Sequence, residues 1–517
     1  MLKPQNKFFS MKNPVFLAFF IALCVGILVH LFALGNPLHN YDDLAIQPMG
    51  YGTGITSGRW FLQFLGNNCL QLGISCNLPT VNGLIFLFYL SLAAGFLVSA
   101  LKLRNPVFAV MVGILFVVFP TAVSTMYFRY TAPYYGLGAL LAVMAAWVLY
   151  RSKFGLLYSA VLTGCSLGIN QSYTPITIAI FLLMLLQDTV SGEINWKTVI
   201  ARGLYDCAAL VLGLVTYYLF LKIFLHYYFW IELSDYQGIN QMGLISLAML
   251  PELIRTAFWT VIRLPVEDYC GITFNTMQQL AFLLTYLLSL LITIYLLITN
   301  DRNLPGTGLA LALLLLFPIA SAFVIVMCPQ SDIYTLMTYG FVLIPCVPAV
   351  LLDALPQAEG VRKKIHTIIR GCAALVLSVL LLFYAYNANV SYTSLHYANR
   401  QAENYYTSLI TQVRMTEGFT ADKQWAIIGT NQDPLQIVSE WDKLYRYGGN
   451  AYGIDMITTY SWIHWVSNYL GYSIPFASDE TIDALIQTEE FQTMPCWPNH
   501  GSIRAIGDLM VIKYSEP

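Results

Sequence analysis

The sequence predicts a polytopic α-helical membrane protein that carries a small α/β domain towards its C-terminal end. Three observations predict it. Hydrophobic residues make up 57% of the 517 and charged residues only 10%, whereas soluble domains run roughly 45–50% and about 25%. Apolar runs long enough to approach a bilayer's thickness recur up to residue 389, and mean hydropathy is +0.62. Beyond residue 390 polar residues return, and short strand-like and helix-like stretches alternate.

Composition also excludes several classes. A formal net charge of -2 carries no basic stripe of the kind that nucleic-acid binding needs. The ten cysteines form no CxxC pair and no Cys/His cluster at zinc spacing. Cys24, Cys165, Cys207, Cys346 and Cys372 fall in apolar runs and read as small core residues; Cys69 and Cys76 share one loop and are placed to pair if it faces an oxidising compartment. No GxSxG, HExxH or GxxxxGK[ST] is present, so nothing points to ATP hydrolysis.

About 20 apolar residues cross a ~30 Å hydrocarbon core. Eleven runs qualify: 14–34, 82–101, 106–122, 133–150, 155–169, 172–188, 203–225, 279–299, 307–327, 333–352 and 367–387. The first is read as a retained signal anchor, because it is long enough to span. Runs 155–169 and 172–188 are short, and Gly164, Gly168, Asn170, Gln171 and Pro175 interrupt them. They form one broken helix, two short helices or a re-entrant pair. Lysine and arginine collect in short cytoplasmic loops. With the N-terminus inside, the inner side holds fourteen of them and the outer loops Arg59, Arg129, Arg255 and Arg263, with Lys222 at the outer end of a span. Merging 155–188 into one span would reverse that bias downstream, so the charge pattern favours an even number of crossings there.

The expected domains are a membrane domain, 1–389, with outer loops 35–81, 121–132 and 226–278, and an extracytoplasmic α/β domain, 390–517. Residues 59–72 have near-helical apolar spacing suited to lying flat on a membrane, and 245–265 reads as an amphipathic interfacial helix with Arg255 and Arg263 on its polar side. In the C-terminal domain 399–416, 454–469 and 478–490 are expected helical. Strands are expected at 424–429 and 509–513.

The chemistry is expected on the outer side. Asp42 and Asp43 directly follow the first span, and a carboxylate near lipid is costly unless paired, hydrated or used. One of them is suited to act as general base on a hydroxyl; a hydrated loop is the alternative. Adjacent residues point in different directions, so only one is expected to aim at substrate. Arg59 and Arg129 are candidates for a lipid phosphate, with interfacial snorkelling as the alternative. Candidate substrate contacts are Trp60, Asn170, Gln171, Tyr173, Glu267, Asp268 and His464. Glue between helices competes for Asn170, Gln171 and Tyr173, and a packed aromatic core competes for His464. The loop 491–504, FQTMPCWPNHGSIR, reads as a restricted connector.

Four places taken in order resemble the serotype-converting (O-antigen) glucosyltransferase family, polyprenyl-phosphate-sugar-dependent enzymes of the GT-C type. They are Asp42-Asp43, Ser57-Gly58-Arg59-Trp60, Gly168-Ile169-Asn170-Gln171-Ser172-Tyr173, and Met494-Pro495 with Pro498 and Gly501-Ser502-Ile503. The resemblance implies a GT-C-like fold in the bacterial cytoplasmic membrane. It implies transfer of one glucose-like hexose from undecaprenyl phosphate to a surface glycan on the outer face, with inversion. Asp42 or Asp43 would be the base, and Arg59 and Arg129 would stabilise the leaving phosphate. No cofactor is called for; a divalent metal is compatible but not indicated, since no dense acidic cluster is present. The competing readings are a transporter of lipid-linked glycans, which would put charge at mid-membrane, and a polysaccharide polymerase or ligase.

Overall fold

The computed structural model describes residues 10–191, 194–242, 246–299, 304–355, 359–431, 444, 447–450 and 463–517. Among them the chain forms two compact units. One holds the residues up to 36, 50–389 and 447–449; the other holds 37–49, those from 390 to 444, and 450 together with 463–517.

In the first unit, polar caps and prolines start the helices. Helix α1 (Pro14–Val29) is capped by the Asn13 side chain, which accepts from the Val15 amide, and opens on a proline. The chain breaks at His30 and continues as α2 (Leu31–Gly35). Proline again sits in the first turn of α5 (Pro79–Ala100), α6 (Pro106–Val118), α7 (Pro120–Thr125) and α8 (Ala132–Val148), where its missing N–H costs nothing. Pro120 also forces Phe119 out of helical conformation and splits α6 from α7. Next come α9 (Gly155–Ile169), α10 (Thr174–Ser191) and α11 (Trp196–Ile223). After them run α13 (Thr276–Thr299), α14 (Leu304–Ser321), α15 (Phe323–Met327) and α16 (Val347–Asp353). Helix α17 (Gly360–Met415) runs 56 residues, and residue 390 falls inside it.

Every expected apolar run meets a helix or a broken helix. Among the described residues six are long and apolar enough to cross a membrane, and five shorter apolar helices account for the other runs. The pair at 155–188 is two helices joined by a 3-10 turn, Gln171–Tyr173. The run 333–352 is not one helix: it breaks into 3-10 turns Thr335–Met337 and Tyr339–Leu343 before α16. Small residues bring the helices together. A Cβ on Gly164 of α9 would come within 2.7 Å of Thr216 on α11, and one on Gly213 of α11 within 2.6 Å of Thr163 on α9.

The two amphipathic segments are helices: α4 (Trp60–Gln71) and α12 (Leu250–Arg263). Helix α12 buries Leu253, Ala257, Thr260 and Val261 along one face. On its polar side Arg255 bonds Glu252 at 2.8 Å, and Arg263 lies 3.5 Å from Glu267. Residue 245, where this helix was expected to begin, is outside the described residues. Cys69, in α4, and Cys76, beyond its end, are free thiols.

The second unit contains the short helix α3 (Tyr41–Ala45) and a three-stranded sheet. Strands β1 (Gln424–Ile428) and β3 (Leu509–Lys513) are the two expected ones and pair in parallel. Strand β2 (Ile503–Ile506) was not expected; it pairs antiparallel with β3, which is therefore central. Gly507-Asp508 forms the two-residue hairpin between them, with Gly507 at φ +55°. Ala426, Ile428 and Val511 pack on Leu485 of α18 (Asp479–Ile486), Phe491 of α19 (Glu489–Gln492), and Met494. The expected helix 399–416 is the end of α17. Of the expected helix 454–469, residues 454–462 lie outside the described ones, and Trp465–Tyr469 is a single π-helical turn.

Candidate active site

The acidic pair belongs to the second unit. Asn40 caps α3: its Oδ1 accepts from the amides of Asp42 (3.0 Å) and Asp43 (2.8 Å), which fixes both acids in the first turn. As neighbours they face differently. Asp43 is buried, with Oδ2 2.7 Å from Nδ1 of His39, itself buried. Asp42 stays half-exposed. The His39 backbone is clasped by Asn399 of α17, which accepts from its N–H at 2.7 Å and donates to its carbonyl at 2.8 Å. The His39 ring meets Tyr469 edge-on at 5.5 Å, and Asn468 donates to the Leu44 carbonyl at 2.8 Å. A buried carboxyl group needs such a partner, and Asp43 and His39 satisfy one another inside the second unit.

In the first unit, two motifs that are far apart in sequence form one packed knot. Gly58 is left-handed, at φ +70°, and a Cβ there would come within 2.7 Å of the Tyr217 hydroxyl and 2.8 Å of Gln171 Nε2. Gln171 donates to the Ser57 carbonyl at 2.8 Å and to Tyr217 at 3.1 Å; Tyr217 donates to the Gly58 carbonyl at 3.1 Å. Asn170 Oδ1 accepts from the Ser172 amide and hydroxyl, and so shapes the turn between α9 and α10. Trp60 is buried, stacked on Phe220 at 4.8 Å. Gly168 leaves room for its indole; a Cβ there would lie 2.6 Å from the ring. Gly168→Ala is therefore expected to cost roughly 1–3 kcal/mol through overpacking. A lowered thermal midpoint of the purified protein checks it.

The knot positions Arg59. Its Cζ lies 5.8 Å from the centre of the Tyr135 ring, and Tyr135 meets Tyr173 edge-on at 6.1 Å. Its Nε is buried and, among the described residues, has no hydrogen-bond partner. Burial works against the charge, while Tyr135, Tyr334, Tyr130 and Tyr173 favour it; the net pKa lies above the ordinary arginine value. None of its partners among the described residues is a carboxylate.

Arg129 is placed differently. It is fully buried, and it donates from Nε to the Met126 carbonyl (3.1 Å) and from Nη1 to the Asn36 carbonyl (2.9 Å). The Asn82 side chain donates to the Arg129 backbone carbonyl at 3.1 Å. It is thus held against the ends of α2 and α7.

Of the candidate substrate contacts, Trp60, Asn170, Gln171 and Tyr173 are brought together around Arg59, all of them buried. Glu267 pairs with Arg263 beyond α12, and Asp268 beside it is exposed. His464 is half-buried next to the buried Trp465, and desolvation lowers its pKa. Its neighbour Trp462 lies outside the described residues. Among those residues no three His, Cys, Asp or Glu side chains gather as a metal site would require. Sequence reasoning missed His39, Asn399, Tyr135 and Tyr217. His39 had a signal, since it stands four residues before Asp43; Asn399, 360 residues away, had none.

A family model described as glucosyl transferase GtrII matches residues 31–345, well over half of the chain. That stretch takes in the acidic pair, both arginines and the knot. No curated protein and no solved structure matches.

Proposed function

This chain belongs to the glucosyl transferase GtrII family and is a membrane glycosyltransferase, and on that premise we propose the donor, the side of the membrane and the residues. The donor is a single hexose on undecaprenyl phosphate. The acceptor is a surface glycan at the outer face of the bacterial cytoplasmic membrane. The N-terminus lies inside and the 390–517 domain outside. Asp42 takes the proton from an acceptor hydroxyl, whose oxygen attacks the anomeric carbon from the side opposite the phosphate. The carbon–oxygen bond to phosphate breaks, and undecaprenyl phosphate leaves. The anomeric centre inverts, and the proton passes from Asp42 to solvent.

The observation that carries this reading is Arg59. A buried guanidinium held beside a packed knot, ringed by tyrosines and, among the described residues, without a carboxylate partner, is suited to take up an anion. Its fork-shaped donors match a phosphate, and burial around it strengthens that bond. Asp43 is buried against His39, whereas Asp42 beside it stays half-exposed, and we assign the acceptor proton to Asp42. Trp60, Asn170, Gln171 and Tyr173 hold Arg59 in place; Arg129 is the second, more structural, cation.

The test uses purified protein in nanodiscs supplied with undecaprenyl-phosphate-linked glucose, or with the N-acetylglucosamine analogue, and a crude surface-glycan acceptor. Release of undecaprenyl phosphate that depends on acceptor is the expected result. If neither donor is consumed, this donor is wrong and a transport role moves ahead.

A further inference from the structure

The loop 491–504, which by sequence names no chemistry, lines a groove of about 990 Å³ in the second unit. One wall is the end of α17 and the turn after it, with Gln412 and Glu417. The other is the loop itself and the start of β2, with Trp497, Asn499, His500 and Arg504. We propose that this groove binds the acceptor glycan, a polysaccharide segment of more than one sugar ring, and so supplies the acceptor specificity of the transferase reading on which it rests.

The volume lies at the upper end of the roughly 300–1,000 Å³ common for small-ligand sites. It suits an extended ligand rather than a single sugar. The lining suits a saccharide. Trp497 is a half-buried aromatic plate that is already rigid: its ring meets Tyr405 at 6.5 Å and Tyr514 at 6.3 Å, both edge-on, and its backbone N–H donates to Lys513 at 2.8 Å. Behind it the Tyr405 hydroxyl donates to that of Tyr514 at 2.6 Å and accepts from Asn431 at 2.7 Å. An aromatic face packs on the C–H face of a sugar at little entropic cost, since it loses few rotamers on binding.

Around the plate, Asn499, His500, Gln412 and Glu417 are exposed groups with planar hydrogen-bonding ends. Arg504 is exposed as well and makes no ion pair among the described residues. Its guanidinium lies over Gly501, 3.2 Å from where a Cβ would stand, and Gly501 adopts φ +90°. The glycine of the terminal motif thus makes space for the arginine at the groove. Arg504 and Glu417 offset one another, so the groove has no strong field for a polyanion. A few fixed polar groups around one apolar plate is the pattern that orients a neutral, hydroxyl-rich ligand.

The experiment titrates the full-length protein in nanodiscs with size-fractionated oligosaccharides cut from bacterial surface polysaccharide, without donor, and reads binding by calorimetry. Trp497→Ala and Arg504→Ala are expected each to weaken binding about tenfold or more, and Asp483→Ala, on α18 and outside the groove, to leave it unchanged. Trp497 also packs against two tyrosines, so Arg504→Ala is the decisive variant if Trp497→Ala lowers stability. Unchanged binding in Arg504→Ala overturns the proposal, and so does wild-type protein that binds no oligosaccharide. Donor consumption measured in parallel separates the two readings. Turnover without oligosaccharide binding removes the groove and keeps the transferase; oligosaccharide binding without turnover of any donor keeps the groove and removes the transferase chemistry.

Discussion

Asp42→Asn is expected to lower acceptor-dependent release of undecaprenyl phosphate by about two orders of magnitude or more, the usual cost of losing a general base. Asparagine keeps the shape of the side chain but cannot take a proton. Asp42 is half-exposed and Asp43 carries the buried bond to His39, so the thermal midpoint should move less in the Asp42 variant than in the Asp43 variant. Asp43→Asn provides the contrast. It replaces a buried, charge-assisted bond of 2.7 Å with a weaker neutral one, at a cost of roughly 1–3 kcal/mol in stability. Its activity should fall only as far as the presentation of Asp42 suffers. Turnover and melting curves measured on both proteins decide the matter. A well-folded Asp42→Asn enzyme at wild-type rate, beside a silent Asp43→Asn enzyme, would exchange the two roles.

Arg59→Gln should raise the KM for the lipid-linked donor and lower kcat as well, because the phosphate gains charge as it leaves. Loss of one charged hydrogen-bonding partner is worth about 1.5–3 kcal/mol, or roughly 10–150-fold in kcat/KM. Arg59→Lys keeps the charge but loses the two-pronged donor geometry and should fall between. Tyr135→Phe retains the ring beneath the guanidinium and should stay close to wild type. Steady-state kinetics with donor varied at fixed acceptor would show these differences. A donor KM unchanged in Arg59→Gln would sever Arg59 from the phosphate.

The apolar helices were legible because a bilayer imposes one simple demand, length without charge, and the apolar runs state it openly, although among the described residues only six of the eleven expected spans meet helices long enough to cross. What composition does not state is the local conformation inside an apolar run. Residues 333–352 are as apolar as a span, yet they run in 3-10 turns as far as Leu343, and an α-helix resumes only at Val347, with Pro348 in its first turn. Strands β1 and β3 showed as short apolar runs, whereas β2 was hidden by its brevity and by Arg504 on its exposed side. The acidic pair and the two motifs at Arg59 and Gln171 were visible as unusual residues in unusual places. That the motifs form one knot was not, because Gln171 and Ser57 are 114 residues apart and a single chain records no pairing. Nor was it legible that residues 37–49 belong with the C-terminal unit rather than with the helices on either side of them in sequence.

The same segment has a history during synthesis. Asp42 and Asp43 leave the ribosome early, but the amide that clasps His39 comes 360 residues later and the one that holds Leu44 comes 424 residues later. At about 5–20 residues per second the first delay is roughly 20–70 s. For that time the segment lacks the contacts that hold its backbone, and closing so long a loop falls among the last steps of folding. If Asp42 is the base, a chain interrupted before Asn399 is expected to be inactive, and the order in which the polypeptide is made would then withhold activity from incomplete copies.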